Sequence, residues 1–76
     1  MESPQNYVRE LVTLCDPNYP DYNRAKTRVR EIGEAVNRQG GMALMHEVHS
    51  QVSSAGSPMH GRILEGFWGG IGDWLA

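Results

Sequence analysis

Residues 57–75 (SPMHGRILEGFWGGIGDWL) hold both tryptophans and the only phenylalanine of the chain. A segment that concentrates so much apolar surface has to be covered if the chain folds in water. Its apolar residues fall at Met59, Ile63, Phe67 and Ile71, with Leu64, Trp68 and Leu75 one turn over and Trp74 beside them. Steps of three and four place these residues on one helical stripe. The spacing therefore predicts a C-terminal helix over about 58–69 that serves as the hub of the fold. Glycines at 69 and 70 should end or deform it, leaving Trp74 on a turn as the more exposed of the two tryptophans.

Three further helices are expected to pack on that hub. Ser3-Pro4 and Ser57-Pro58 are helix starts, because the serine hydroxyl can accept a free backbone N–H and proline suits the first helical position. The first opens a helix over about 4–15, with Tyr7, Val8, Leu11, Val12 and Cys15 at helical spacing. Asp16 to Pro20 (DPNYP) breaks it, and Asp21 is a candidate cap for the next. A helix over about 22–39 has Ala25, Val29, Ile32 and Val36 as its apolar line. Gly33 lies beside that line at a cost of up to ~1 kcal/mol of helix propensity, and the close approach of another helix is the expected reason. Arg30–Glu34 and Glu34–Arg38 have the spacing of ion pairs on its outer face. Gly40-Gly41 should end it, with Gly40 as the left-handed cap. A helix over about 42–53 follows, with Leu44, Met45, Val48 and Val52 inward, then a short loop from Ser53 to Gly56. No alternation of period two suggests a strand. The expected fold is all-α: a compact bundle of four short helices (about 4–15, 22–39, 42–53, 58–69) with the C-terminal one central.

Size and charge narrow the function classes. With 76 residues, a single helical domain over 1–76 is expected. A formal net charge of −2 argues against a polyanion as the default partner. Cys15 is the one cysteine, so no internal disulfide can form. The first residues lack the basic-then-apolar pattern of a secretion signal, and no apolar run approaches the roughly 20 residues of a membrane span. A cytoplasmic protein without a membrane partner is the simplest expectation.

The segment RQGGMALMHEV (Arg38 to Val48), followed by a loop and a further apolar helix, resembles an armadillo or HEAT-type repeat, in which a double glycine joins a short helix to the pair that stacks on the next repeat. IGEAVNRQGGM (Ile32 to Met42) together with FWGGIGDW (Phe67 to Trp74) is also similar to small helical proteins of uncharacterised function. Neither resemblance implies an activity, cofactor or catalytic residue.

The remaining motifs divide between chemistry and packing. His46 and His49, three residues apart, can share a helix face, and His60, Cys15 or an acid elsewhere would have to supply a third metal ligand. The spacing of Glu47 and His49 differs from that of zinc-dependent hydrolases, and half-exposed histidines flanking an apolar line are the simpler reading. Cys15 closes a helix on its buried line, where the dipole raises a thiol pKa, so it reads as core. Arg24, Lys26, Arg28, Arg30 and Arg38 are spread around their helix among Glu31 and Glu34, the pattern of a solvated face. The glycines of GFWGGIGDW lack the lysine and hydroxyl residue of a phosphate loop. The aromatic cluster of Phe67, Trp68, Trp74, Tyr7, Tyr19 and Tyr22 is mostly core, with Trp68, Trp74 and Phe67 the candidates for contact with a partner. By elimination, a small non-enzymatic protein is expected, without catalytic residues, metal or cofactor, acting by protein–protein interaction or self-association with an unknown partner or a second copy. A metal-binding or nucleic-acid-binding regulator is the alternative.

Overall fold

The computed structural model describes residues 3–74. Three helices follow in chain order: α1 (Pro4–Leu14), α2 (Tyr22–Ala55) and α3 (Pro58–Trp68). Among the described residues there is no strand. Each helix begins where its sequence says it should. Ser3, Asp21 and Ser57 accept hydrogen bonds from the backbone N–H groups of Asn6, Arg24 and His60, and Pro4 and Pro58 open α1 and α3. These caps satisfy donors that a helix start otherwise leaves unpaired.

The expected four helices are three. The segments predicted at 22–39 and 42–53 form one hydrogen-bonded run that continues to Ala55, so the loop expected from Ser53 shrinks to the cap at Gly56. A straight helix of 34 residues would be about 51 Å long. The molecule measures 29 × 22 × 22 Å. The run therefore bends sharply, and the bend comes at Gly41, whose φ of 66° and ψ of −157° lie outside the helical region. Gly41, rather than Gly40, supplies the backbone freedom. Gly40 instead lies against Leu44.

The bend makes α2 the centre. Both α1 and α3 pack against it and scarcely approach each other, so the C-terminal helix is a guest on α2 rather than the hub. The core takes Tyr7, Val8, Leu11, Leu14 and Cys15 from α1 and its cap, Ala25, Val29, Ile32 and Val36 from the first limb of α2, and Met45, Val48 and Val52 from the second. Leu64, Phe67, Trp68, Ile71 and Trp74 complete it. Of the stripe expected on α3, Leu64, Phe67, Trp68 and Ile71 face inward, joined by Gly61, whereas Met59 is 47% exposed and Ile63 half-buried. Leu75, predicted on that stripe, lies outside the described residues.

Trp68 is fully buried, and its indole Nε1–H donates to the carbonyl of Val29 at 2.9 Å. Gly33 makes this possible. A Cβ there would come within 2.5 Å of Trp68 Nε1, 2.7 Å of its Cδ1 and 2.9 Å of Ile71 Cδ1. The close approach expected at Gly33 is thus made by an indole. Arg30, expected to pair with Glu34, reaches over instead and donates to the carbonyls of Phe67 (2.7 Å) and Gly69 (2.9 Å). It neutralises the exposed C-terminal carbonyls of α3, where a cation is favoured. Beyond Trp68 the chain turns through Ile71 N–H to Trp68 O and Trp74 N–H to Ile71 O, both at 3.0 Å, which returns Trp74 to the core.

On the other side, Arg28 binds the Glu10 carboxylate through Nε (2.6 Å) and Nη2 (3.0 Å), joining α2 to α1. The hydrogen bond from Arg28 holds the Glu10 carboxyl below its ordinary value of 4.5; partial burial opposes this and the guanidinium charge adds to it.

Gly41→Ala should lower stability by about 1–3 kcal/mol through the backbone alone, since no atom lies within 4 Å of the new methyl. Gly33→Ala should cost about 1–2 kcal/mol, as overpacking against Trp68 outweighs the gain in helix propensity. Urea titration measures both. For Glu10→Gln the loss is about 0.5 kcal/mol near neutral pH. Because the folded-state pKa is the lower one, this contribution exists above pH 4.5 and disappears as pH falls through the folded value, so wild type and variant should converge in acid unfolding.

Candidate functional site

The side chains singled out for chemistry do not assemble into one centre. His46 and His49 come together with Met42, Glu65, Asp73 and Trp74 around a cleft of about 400 Å³ between the second limb of α2 and the C-terminal turn. The His46 ring lies 4.8 Å from that of Trp74, centroid to centroid, and His49 lies 5.5 Å from it. His49 Nε2 faces two acceptors, Glu65 Oε2 at 2.9 Å and the Gly61 carbonyl at 3.2 Å, so this nitrogen carries the proton. Gly61 is buried at the same crossing, with Ser53 and His49 occupying the space that a side chain would need.

His60 lies elsewhere. Its Nδ1 is 2.8 Å from Ser57 Oγ, and its Nε2 is 3.6 Å from Asp16 Oδ2 on the α1–α2 connection. The three histidines therefore do not converge, and no three potential metal ligands meet among the described residues. Cys15 is fully buried, and burial pushes its thiol up to about 12, so the unreactive neutral form prevails at neutral pH. Of the basic residues of α2, Arg28 and Arg30 are engaged with Glu10 and with the end of α3.

The three aromatic residues expected to meet a partner are core residues instead. Trp68 is fully buried, Phe67 is 8% exposed and Trp74 is 5% exposed. Trp74 does sit on a turn, but the turn stacks its ring edge-on against Trp68 at 5.3 Å instead of presenting it to water. Its Nε1–H is buried without a hydrogen-bond partner.

The aromatic that stays outside is Tyr22, 65% exposed, whose ring meets the edge of Phe67 at 5.4 Å. It stands at the junction of two adjoining depressions of about 130 and 310 Å³ that share Tyr22, Ile63 and Phe67 as walls. The larger is completed by Lys26, Arg62 and Gly66. The smaller runs toward Leu14, Asp16, Pro17 and Tyr19. Met59 continues the same outer stripe of α3, at helical spacing from Arg62, Ile63 and Gly66. Tyr22 and Met59 are the large hydrophobic residues left exposed among the described residues; Tyr22 walls both depressions and Met59 lies one turn before Ile63 on α3. Gly66 offers a sequence signal for it: in the last turns of a helix it costs propensity, and no neighbour within 4 Å requires its small size.

No protein family model, curated protein or solved structure matches the chain.

The two indoles should respond differently to loss of their nitrogen. Trp68→Phe removes a satisfied buried donor together with volume, for a cost of about 2–3 kcal/mol. Trp74→Phe also removes an unpaired buried donor, whose relief offsets the lost packing, and should cost less than about 1 kcal/mol. Guanidinium titrations followed by circular dichroism compare the two directly.

Proposed function

We propose that this chain is a non-enzymatic helical module that acts by protein–protein contact, through the face formed by Tyr22, Met59, Ile63 and Gly66. The observation that carries this reading is an exposed tyrosine, Tyr22, walling a groove with Ile63 and Phe67, with exposed Met59 at helical spacing from Ile63 and Gly66 on α3. Large apolar side chains are costly to leave in water together, and such patches serve as contact sites. Tyrosine and methionine both suit that use, the first for its rigid area and the second for its adaptability. The face sits between two helices that Trp68, Phe67 and Arg30 hold in fixed relation, so it is preformed. On this reading the unknown partner would meet this face rather than the tryptophans. A cytoplasmic setting fits the buried, unpaired thiol of Cys15, which a reducing compartment preserves.

The cleft at Trp74 supports a chemical role less well. The histidine that reaches across it is already bonded to Glu65 and to the Gly61 carbonyl, an arrangement that ties α2 to α3.

Site-specific photo-crosslinking tests the proposal. A benzophenone amino acid at position 59 should give a discrete adduct in cells that excess unlabelled protein competes away and that Gly66→Leu abolishes. The same probe at Glu47, exposed on the second limb of α2, should give no such adduct. Equal yields from both positions, or no competable adduct at 59, would remove the proposal.

A further inference from the structure

Resting on that docking reading, we infer that the occupant of the groove is an acidic amphipathic helix of about three turns, matching the 11 residues of α3.

Shape is the first reason. The groove runs between the first turns of α2, which contribute Tyr22 and Lys26, and the outer stripe of α3, which contributes Arg62, Ile63 and Gly66. Two helices side by side leave a furrow that a third helix fills by packing ridges into grooves. Gly66 lies in that furrow with open space where its Cβ would be. Inside the core, Gly33 admits the Trp68 indole against the helix backbone. A partner helix drawn close to α3 gives Gly66 the same use on the outside.

Charge is the second reason. Lys26 and Arg62 stand on opposite walls, both exposed and neither with an ion-pair partner among the described residues. Asp16, at the far end, is already engaged: its Oδ1 accepts from the Asn18 N–H at 2.7 Å, and its Oδ2 lies near His60. The groove is thus an apolar floor with a cation on each side, on a chain whose net charge is −2. A second copy docking face to face would set Lys26 and Arg62 against the same pair, which repels. A helix with an apolar line flanked by Asp or Glu places carboxylates at both walls. Two cations are too few for a nucleic-acid footprint, whose affinity grows with the number of phosphates neutralised.

The probe is a pair of synthetic helical peptides with one leucine line, flanked in one by glutamate and in the other by lysine. Each is titrated into the ¹⁵N-labelled protein at low salt. The glutamate peptide should shift the amides of Tyr22, Lys26, Arg62 and Gly66 and bind roughly tenfold or more tightly than the lysine peptide. Lys26→Glu/Arg62→Glu should invert that order, and Gly66→Leu should abolish binding with the helices intact. Equal binding of the two peptides would overturn the inference. So would shifts centred on the Trp74 cleft, or an oligothymidylate that moves the same amides as strongly. If neither peptide shifts the groove while the crosslink from position 59 persists, the helix is wrong and the docking face stands. If the crosslink is absent as well, both fall.

Discussion

The structure depends on one hydrogen-bonded notch. The Trp68 indole enters the gap that Gly33 leaves and donates to the carbonyl of Val29, one helical turn earlier on the same face. Neither half of this arrangement works alone. Without the gap the ring cannot reach the backbone, and without the carbonyl a buried N–H would be left unpaired. Arg30, next to Val29, closes the end of α3 by binding the carbonyls of Phe67 and Gly69. A little more than one turn of α2 therefore receives the end of α3 and the turn after it.

That geometry explains which parts of the fold were legible in the sequence. Helix starts were, because Ser3, Asp21 and Ser57 act locally on their own first turns. The apolar lines of α2 were, because Val29, Ile32, Val36, Val48 and Val52 face one core. Gly33 was, since a glycine beside a buried line has few other uses. The stripe of α3 was legible at Leu64, Phe67, Trp68 and Ile71 but too wide at its start: the tightest crossing is at Gly61, which carries no hydrophobic signal, while Met59 and Ile63 lie at or outside the edge of the core. The bend was legible to within one residue, as either glycine of the pair at 40–41 can leave the helical region. The ties of Arg30 were out of reach, because their acceptors are backbone groups 37 and 39 residues away.

The candidate site was hidden for a related reason. Tryptophans suggest interfaces, yet in so small a chain they are the best means of filling a core. Once Trp68 and Trp74 turn inward, edge to face, contact with the outside passes to smaller residues. Tyr22 looked like one member of an aromatic cluster, and only the position of Phe67 beneath it shows that it lies over the core's rim. The two surface depressions also differ in kind. At Trp74, His49 and Glu65 satisfy each other. Beside Tyr22, Lys26 and Arg62 project over an apolar floor.

The bend at Gly41 has a consequence for how the chain reaches this state. Its two limbs are joined by a single residue, so bringing them together closes almost no loop and forfeits little chain entropy. Most native contacts join residues that are close along the chain, the regime in which small helical domains find their native topology in microseconds to milliseconds. The same brevity leaves no slack: a segment inserted there would separate two surfaces that the geometry of one glycine keeps in register.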